Sequence, residues 1–538
     1  MTERVRSSPV AILGPDAQRL TGADARAHNV SAARAVADSV TATLGPKGTD
    51  KLLVDDLGEV TVTNDGATVL SGMAVDDPAA ELVVEVAGAQ SDAVGDGTTT
   101  AVAVAGALLG EAEDLLDDGI HPTSLVRGFD RAGDRIRTGL DDVAVGVDPT
   151  DEALLRRVAT TAMTGTRTAV DADVLADLVV RAVQRVTVAG ADGTEVDLNA
   201  LDVRAEGGGS VSESELVAGA VVDRDPVHPA MPGHVDDAAV LLLDKDIKTT
   251  EADTEGTLIV DDPAMLRSFV AREDEQLREL VDDVLACGAN VVFCQNGIDE
   301  LAHEYLADRG VLAVRRVRKD EIEFLADLLD ARLVGDFDTI TPEDVASGTV
   351  TRDENADRFV VEGPGHGATL LLRGSTGRVR EELERCVEDA LDVVAAAVES
   401  GRVVAGCGAV EVELARRLRT HADAAGGREG LAVAAVADAL EAVPRALAAN
   451  AGLDPVDALV ALRAAHADGE TRAGLDVDTG EAVDALDAGV VEPTAVKRRA
   501  YGAAVEAAGL VLRIDDILAA DDLSTTGDPE ERLPEGAL

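Results

Sequence analysis

The sequence predicts a multidomain α and α/β protein in which both ends of the chain contribute to one helical domain. Its 538 residues exceed what a single hydrophobic core usually serves, so two or three domains are expected. Ala-rich helical stretches fill the first and last parts of the chain, whereas strand candidates alternate with helices in the middle. We therefore expect the two ends to pack together around an inserted α/β region.

The composition favours a salt-adapted protein that does not bind nucleic acid. Hydrophobic residues make up 46% of the chain but aromatic residues only 1%, so Ala, Val and Leu must fill the cores. The 103 acidic residues outnumber the 48 basic ones, and the formal net charge of −55 is spread along the chain. Diffuse acidity opposes nucleic-acid binding, which needs a basic face. Because salt screens self-repulsion, this surface is typical of a halophilic protein.

The cysteines and the N-terminal segment favour a cytoplasmic protein. The four cysteines form no CxxC pair and have no His ligand pattern near them, so we expect free thiols. The N-terminal segment MTERVRSSPV lacks the apolar core of a signal peptide, and no run of about 18 uncharged apolar residues occurs. We expect a soluble protein with no membrane partner.

The sequence predicts that the first region consists of helices and one β-hairpin. Thr21–Asp24 resembles a capping box and opens a helix that stops at Gly45-Pro46. Short strands over 52–54 and 60–62 then form a predicted hairpin, whose exit turn Asn64-Asp65-Gly66 enters a helix. A further helix over 79–89 follows, and an amphipathic helix up to about residue 145 completes the region.

The predicted secondary structure changes from mainly helices to alternating strands and helices in the middle of the chain, and it becomes mainly helical again towards the end. Residues 147–213 suggest a small linking domain, and the segments AAVLLLD, ANVVFCQ, VLAVRRV and ATLLLRG are strand candidates separated by helices. Residues 247–285 form a long charged segment, for which an ordinary surface helix on the sheet is one interpretation. A long helix follows Gly377, and Ala-rich helices return after it. The residues from about 521 are rich in Asp, Pro, Glu and Thr and are expected to be disordered.

One glycine-rich motif points to phosphate chemistry. The sequence Gly95-Asp96-Gly97-Thr98-Thr99-Thr100 runs straight into an apolar helix. Glycines can turn successive N–H groups towards an anion, and a helix N-terminus adds partial positive charge. Asp96 then fits as a Mg²⁺ ligand or, alternatively, as a helix cap. Similar turns at Asp65 and Gly45 favour a nucleotide cradle, although the absence of GxxxxGK[ST] excludes a P-loop.

These blocks together resemble a group II chaperonin subunit of the archaeal thermosome family. The segments that carry the resemblance occur in family order: LGPKGTDKLLVD, NDGATVL, VGDGTTTAV, IHPT, VHPAMP, GANVVFCQNGIDELAHEYLA, GVLAVRRV, VEDA, VVAGCGAVEVELARRL and GVVEPTAVKRRA.

The resemblance implies a chaperonin fold with three domains. An α-helical equatorial ATPase domain would span 1–146 and 406–520, and a small intermediate hinge domain 147–213 and 368–405. An inserted α/β apical domain would span 214–367, with a helical lid protrusion at about 245–280, and 521–538 would form a disordered acidic tail. The lid would contact substrate through Leu266, Phe269 and Val270.

The resemblance also implies a role for each site residue. Asp96 would hold Mg²⁺, and Asp65 and Asp389 would act on the attacking water, Asp389 when the hinge closes. The nucleotide would contact nine positions, namely Gly45, Pro46, Asp96, Gly97, Thr98, Thr99, Thr100, Gly408 and Glu492. ATP and Mg²⁺ are the implied cofactors, with K⁺ as a further candidate cation.

Two segments depart from the family pattern. The family's triple glycine is Gly406-Cys407-Gly408 here, which places a side chain beside the predicted adenosine pocket. The family's TSLTGK segment, whose Lys is thought to sense the γ-phosphate, is TAMTGT here. Thr166 occupies the lysine position and Arg167 follows it, and Arg does not replace Lys equivalently at such a site.

The leading functional hypothesis is an ATP-dependent molecular chaperone. ATP hydrolysis would close a built-in lid over a chamber for non-native proteins, in two stacked rings of identical or paralogous subunits. The alternative is a weakly hydrolysing structural or regulatory subunit of a mixed ring, which Cys407 and Thr166 favour. A small-molecule kinase is a third hypothesis, but no acceptor-pocket signature accompanies the loops.

Overall fold

The computed structural model describes residues 19–54, 57–58, 60–164, 172–190, 193–248, 263–353 and 357–518. These residues form two compact units, one from 19–145 with 403–518 and one from 146–402. The first is mainly helical and the second is α/β, which confirms the predicted multidomain α and α/β class. The finer division into three domains stays a prediction.

The N-terminal part of the helical unit contains the predicted hairpin between helices. Its elements are β1 (Arg19–Thr21), α1 (Ala23–Thr41), β2 (Lys51–Val54), β3 (Val60–Thr63), α2 (Gly66–Ser71), α3 (Pro78–Val94), α4 (Thr98–Asp117), α5 (Pro122–Val143) and the short β4 (Val145–Gly146).

The α/β unit opens with helices and small strands. These are α6 (Glu152–Ala162), α7 (Ala172–Arg185), β5 (Thr187–Ala189), β6 (Thr194–Val196), β7 (Leu201–Gly207), β8 (Glu215–Ala218) and β9 (Ala220–Val222). The larger sheet and its helices follow: β10 (His234–Leu243), α8 (Pro263–Leu285), β11 (Val291–Cys294), α9 (Glu300–Asp308), β12 (Leu312–Val314), α10 (Lys319–Leu329), β13 (Leu333–Val334), β14 (Ala346–Asp353), β15 (Arg358–Glu362), β16 (Ala368–Gly374) and α11 (Gly377–Ser400).

The chain then returns to the helical unit. Its last elements are β17 (Arg402–Ala405), α12 (Ala409–Ala425), α13 (Gly427–Leu440), α14 (Ala442–Asn450), α15 (Pro455–Ala467), β18 (Ala473–Leu475), β19 (Ala482–Asp484), β20 (Val491–Pro493), α16 (Thr494–Arg513) and β21 (Asp516–Leu518).

Small side chains bring the helices of the first unit close together. Its core is built mainly from Ala, Val and Leu, with Phe129 and Tyr501 as buried aromatic residues. A Cβ added at Gly106 of α4 would lie 2.3 Å from the Cβ of Ala37 on α1. Close helix contacts of this kind let a core with few aromatic residues reach the packing density of a protein interior.

The two ends of the chain meet in an antiparallel pair. Thr21 of β1 pairs with Asp516 of β21. The predicted capping box at 21–24 is therefore wrong, because Thr21 is held in a strand and Gly22 is the N-cap of α1, with no side-chain hydrogen bond at that cap.

The α/β unit contains two separate larger sheets. Seven strands form one sheet in the order β12-β11-β10-β14-β15-β9, with β13 also paired to β10, and its β10, β11 and β12 are parallel. The segment ATLLLRG, which is β16, lies instead between β7 and β8 in a three-stranded sheet. Helix α11 packs on this smaller sheet and on α6 and α7.

Helix α8 packs against α9. Leu277 and Val281 of α8 are buried in the core of the α/β unit, and the choice between a lid protrusion and a surface helix stays a prediction. The side chains of Leu266, Phe269 and Val270 lie outside the described residues, as do Thr166, Arg167, residues 249–262 of the predicted lid and the predicted tail. Among the helices that are described, none is both long enough and apolar enough to cross a bilayer.

Candidate functional site

The glycine-rich motif forms the connection between α3 and α4. Gly95 and Gly97 have φ angles of 66° and 84°, in the left-handed region that favours glycine. Gly97 is the N-cap of α4, and no described side chain caps this helix end. The carboxylate of Asp96 instead accepts a hydrogen bond from the N–H of Gly97. Asp96 is therefore not the N-cap, and the first turn of α4 can present N–H groups to an anion.

The side chain of Gln90 holds the connection between α3 and α4 in place. Its side-chain Nε2 donates to the carbonyl of Asp96 at 2.8 Å, and Gln90 is buried. A Cβ at Gly97 would lie 2.9 Å from this nitrogen and 3.0 Å from Cγ1 of Val496 on α16. Any larger residue would thus displace either Gln90 or α16, so glycine is required here for packing as well as for its φ angle.

The Asp65 turn packs directly against the start of α4. Asp65 is the N-cap of α2 and accepts from the N–H of Thr68 at 2.7 Å. A Cβ at the next residue, Gly66, would lie 2.1 Å from Oγ1 of Thr99. The structure therefore brings together two turns that the sequence predicted separately.

The electrostatics of Asp96 fit a bound cation. Burial is the main cause that raises the pKa of Asp96, and the charge of Asp65 adds to it, while the Gly97 N–H and Lys497 act in the opposite direction. Two neighbouring carboxylates repel each other unless a cation lies between them. Among the described residues, no group of three or more His, Cys, Asp or Glu side chains could hold a metal by itself. Mg²⁺ does not need such a group, since phosphate oxygens and water complete its coordination.

The predicted loop at Gly45 and the turn at Gly408 both rest on α14. Gly45 has a φ of 80°, and its Cβ would lie 2.3 Å from Cδ2 of Leu447. A Cβ at Gly408, whose φ is 78°, would lie 2.8 Å from Cβ of Pro444. Asn450 secures the first loop by donating to the carbonyl of Leu44 at 2.9 Å. The next residue of that loop, Pro46, is exposed.

Glu492 lies beside the Gly406–Gly408 turn. It pairs with Val404 across β20 and β17, and its Oε1 would be 3.1 Å from a Cβ at Gly406. Burial raises the pKa of Glu492 to about 7; Glu411 and Asp96 add to this shift and Lys497 opposes it. Cys407 adopts a positive φ of 55°, and burial with the charges of Glu492 and Glu411 raises the pKa of its thiol to about 12. The Cys407 thiol is therefore protonated at neutral pH.

Comparison with known proteins decides the family. The sequence pattern of the TCP-1/cpn60 chaperonin family matches residues 36–522. The chain belongs to the TCP-1/cpn60 chaperonin family. It is a group II chaperonin subunit of the thermosome type, which acts as a molecular chaperone and an ATPase within an oligomeric assembly.

Several relatives match over almost their whole length. Thermosome subunit 2 of Haloferax volcanii is 54% identical over 99% of this chain and 96% of its own. Thermosome subunit beta of Halobacterium salinarum is 52% identical over 97% and 95%. These two relatives support a halophilic origin. The solved open-state monomer of a group II chaperonin from Methanococcoides burtonii is 39% identical, with a TM-score of 0.64, and covers 78% of this chain and 100% of its own.

Asp389 of this chaperonin subunit lies in the α/β unit. It is on α11, partly exposed, next to the buried Ala390. The other site residues discussed above, from Gly45 to Glu492, belong to the helical unit. The role of Asp389 in hydrolysis stays a prediction.

Four buried polar residues of the chaperonin's helical unit are not predicted from the sequence: Gln90, Lys497, Glu411 and Tyr501. Lys497 Nζ donates to Glu411 at 2.8 Å and to Glu492 at 2.7 Å. The hydroxyl of Tyr501 donates to the same Glu411 oxygen at 2.6 Å. One signal was available, because Lys497 is one of only six lysines in the chain, with Lys47, Lys51, Lys245, Lys248 and Lys319. The run Lys497-Arg498-Arg499 nevertheless resembles an exposed basic segment.

Proposed function

We propose that the helical unit binds ATP with Mg²⁺ and that hydrolysis closes a lid over a chamber in which non-native proteins fold. The chamber would be formed by two stacked rings of identical or paralogous subunits in the cytoplasm, without nucleic-acid or membrane partners. The observation that carries the nucleotide site is the contact of the Asp65 turn with the first turn of α4, at Gly66 and Thr99. It sets two carboxylates beside a helix N-terminus whose N–H groups can receive phosphate.

Each residue of the site has a task that follows from its position. The N–H groups and hydroxyls of Thr98, Thr99 and Thr100 hold phosphate oxygens, and Asp96 binds the metal. When bound, Mg²⁺ neutralises charge that develops on the phosphate oxygens. Asp65, in the turn that adjoins Thr99, accepts a hydrogen bond from the attacking water. The Gly45 loop and the Gly408 turn, together with Glu492, contact the nucleoside side.

Asp389 supplies the remaining carboxylate in this proposal. It orients or deprotonates the attacking water when the intermediate domain closes on the nucleotide. A catalytic group on a separate unit makes hydrolysis wait for closure. The exposed acidic surface of the subunit suits such a chamber, since like charge discourages acidic clients from sticking.

Two variants test binding and catalysis separately. Asp96→Ala should weaken Mg²⁺-dependent ATP binding by about tenfold or more, because a charged ligand is lost. Asp389→Ala should keep ATP affinity but lower single-turnover hydrolysis by about 100-fold or more, the usual effect of removing a general base. Calorimetry and phosphate release measure the two quantities, in KCl and in NaCl to test the role of K⁺.

A weakly hydrolysing subunit of a mixed ring is the second candidate function. Cys407 favours it, because this side chain stands on a positive-φ residue between two glycines of the nucleoside-side turn. Equal and low hydrolysis rates for the natural chain and Asp389→Ala would favour this passive role. In that case Cys407→Gly, which restores the family's third glycine, should raise hydrolysis.

A further inference from the structure

Lys497 is a buried cation between three elements of the helical unit. It lies in the first turns of α16 and is 3% exposed. Its ammonium group donates to Glu411 on α12 and to Glu492 on β20. Glu411 is fully buried and is also held by the hydroxyl of Tyr501. A lysine held by two carboxylates in a dry interior has a fixed position, which exposed lysines on flexible stems do not have.

The elements that Lys497 joins are those that form the nucleotide site. Glu411 lies in the first turn of α12, directly after the turn that ends at Gly408. Glu492 reaches the same turn at Gly406. On the phosphate side, the neighbouring Val496 packs against Gly97 and its carbonyl accepts from Gln90 at 3.4 Å. One helix turn therefore contacts both the nucleoside-side and the phosphate-side loops.

Several carboxylates surround the single positive charge of Lys497. Glu411 and Glu492 contact it directly, and Asp96 is close enough to be influenced by its charge. Without Lys497, these carboxylates would repel one another and also repel the polyphosphate of a nucleotide. With it, Glu492 is held in one direction and the excess negative charge beside the phosphate loop is reduced.

We propose that Lys497 is a positioning residue of the nucleotide site, which acts by holding Glu492 at the Gly406–Gly408 turn. The inference rests on the proposed ATP site and adds a residue that does not contact the nucleotide. It predicts that Lys497 and Glu492 affect nucleotide affinity as one unit, whereas a purely structural lysine affects only stability.

The experiment compares Lys497→Met with the loss of a partly exposed cation from a buried carboxylate elsewhere in the same unit. Arg463→Met is the control, because Arg463 donates to the fully buried Glu441 at 2.8 Å and lies outside the nucleotide site. Each variant removes one cation from a buried carboxylate that keeps a second donor, Tyr501 or Arg419 respectively. Full-length subunits in high KCl are compared by calorimetric binding of Mg-ADP and by urea unfolding.

Both variants should lower the urea midpoint, but only Lys497→Met should weaken Mg-ADP binding, by about tenfold. Glu492→Gln should weaken binding similarly, and the double variant should be no weaker than the single ones, because the pair acts as a unit. Equal affinity losses in Lys497→Met and Arg463→Met, or additive losses in the double variant, would overturn the proposal.

Two further results distinguish a failure of the positioning role from a failure of the proposed ATP site. If Lys497→Met yields no folded protein, Glu492→Gln still provides a test, since it keeps the buried cation: unchanged Mg-ADP affinity in this variant refutes the positioning role. If the unmodified chain itself binds no Mg-ADP, the proposed ATP site is wrong. If the unmodified chain binds Mg-ADP and Lys497→Met binds it with the same affinity, only this inference is rejected.

Discussion

Glu413 shows how a single carboxylate can be buried in this acidic protein. Its side chain is fully buried on α12, where it accepts from Nη2 of Arg416 and Nε of Arg417, both at 2.7 Å. Nδ1 of the buried His466 lies 3.2 Å from its other oxygen. Burial by itself raises the pKa of Glu413, but these hydrogen bonds outweigh it and hold the pKa far below 4.5. The ionised form is therefore part of the folded structure.

Glu413→Gln should lower the free energy of unfolding by about 3 kcal/mol at pH 7, the usual cost of breaking a buried ion pair. Because the folded pKa is depressed, the ionised carboxylate stabilises the fold above pH 4.5 and loses this effect as the pH falls below that value. The difference between natural and variant chains should thus shrink by about 1.4 kcal/mol per pH unit below pH 4.5.

Urea unfolding between pH 7 and pH 3.5 measures this difference. Glu113→Gln is the control, because Glu113 pairs with Arg34 at 2.9 Å on the surface and should cost about 1 kcal/mol or less. A Glu413→Gln effect as small as that of the control, or one that grows in acid, would contradict the assignment.

Only the residues of the candidate site that belong to local turns at helix starts could be predicted from the sequence. Asp65 and Asp96 stand beside glycines at helix starts, and these positions can be predicted from neighbouring residues. Glu411 and Lys497 lie 86 positions apart and meet only in the folded unit. Arg498 is exposed although it adjoins Lys497, because successive helix residues point in different directions. No local pattern separates the buried lysine from its basic neighbours.

At the scale of elements, two glycines of α5 have opposite surroundings. A Cβ at Gly128 would lie 2.3 Å from the Cβ of Ala432 on α13, so glycine is needed for these helices to approach. A Cβ at Gly133, five residues later on the same helix, would meet no heavy atom within 4 Å. The pair separates a packing requirement from the intrinsic cost of glycine in a helix.

Gly128→Ala should destabilise the helical unit by about 1–3 kcal/mol, because the added methyl group forces α5 and α13 apart. Gly133→Ala should stabilise it by about 0.5–1 kcal/mol, since alanine loses less backbone entropy in a helix. Urea midpoints of the two variants measure both effects. Shifts in the same direction would show that helix propensity, and not the α5–α13 contact, dominates at Gly128.

The elements themselves were largely predictable, but their long-range pairing was not. Helices and strands follow from local sequence patterns. The strand candidates of the middle region correspond to β10, β11, β12 and β16. Nothing near Thr21 indicates that it pairs with Asp516, and this pairing overrides the capping box. Similarly, the apolar run of ATLLLRG predicts a strand, but the place of this strand in the smaller sheet depends on the distant β7.

At the scale of the whole molecule, the net charge of −55 acts on every part of the fold. Acidic residues outnumber basic ones by 103 to 48, so ion pairs cannot neutralise most carboxylates. Their mutual repulsion opposes the compact state. Salt shortens its range, since the Debye length falls from about 8 Å at 0.15 M to about 3 Å at 1 M. The stability of this chaperonin subunit should therefore depend strongly on salt.

Raising KCl from about 0.15 M to 1 M should increase the thermal midpoint by on the order of 10 °C, since a unit of this size gains about 2–4 °C per kcal/mol and several kcal/mol of repulsion are screened. Circular dichroism measures it, because the chain has no tryptophan for fluorescence. Sucrose at matched osmolality is the control, as it stabilises folded proteins by exclusion without screening charge. Screening predicts a much larger rise in KCl than in sucrose. Equal rises would instead assign the effect to excluded solute, and the acidic surface would then have no part in salt adaptation.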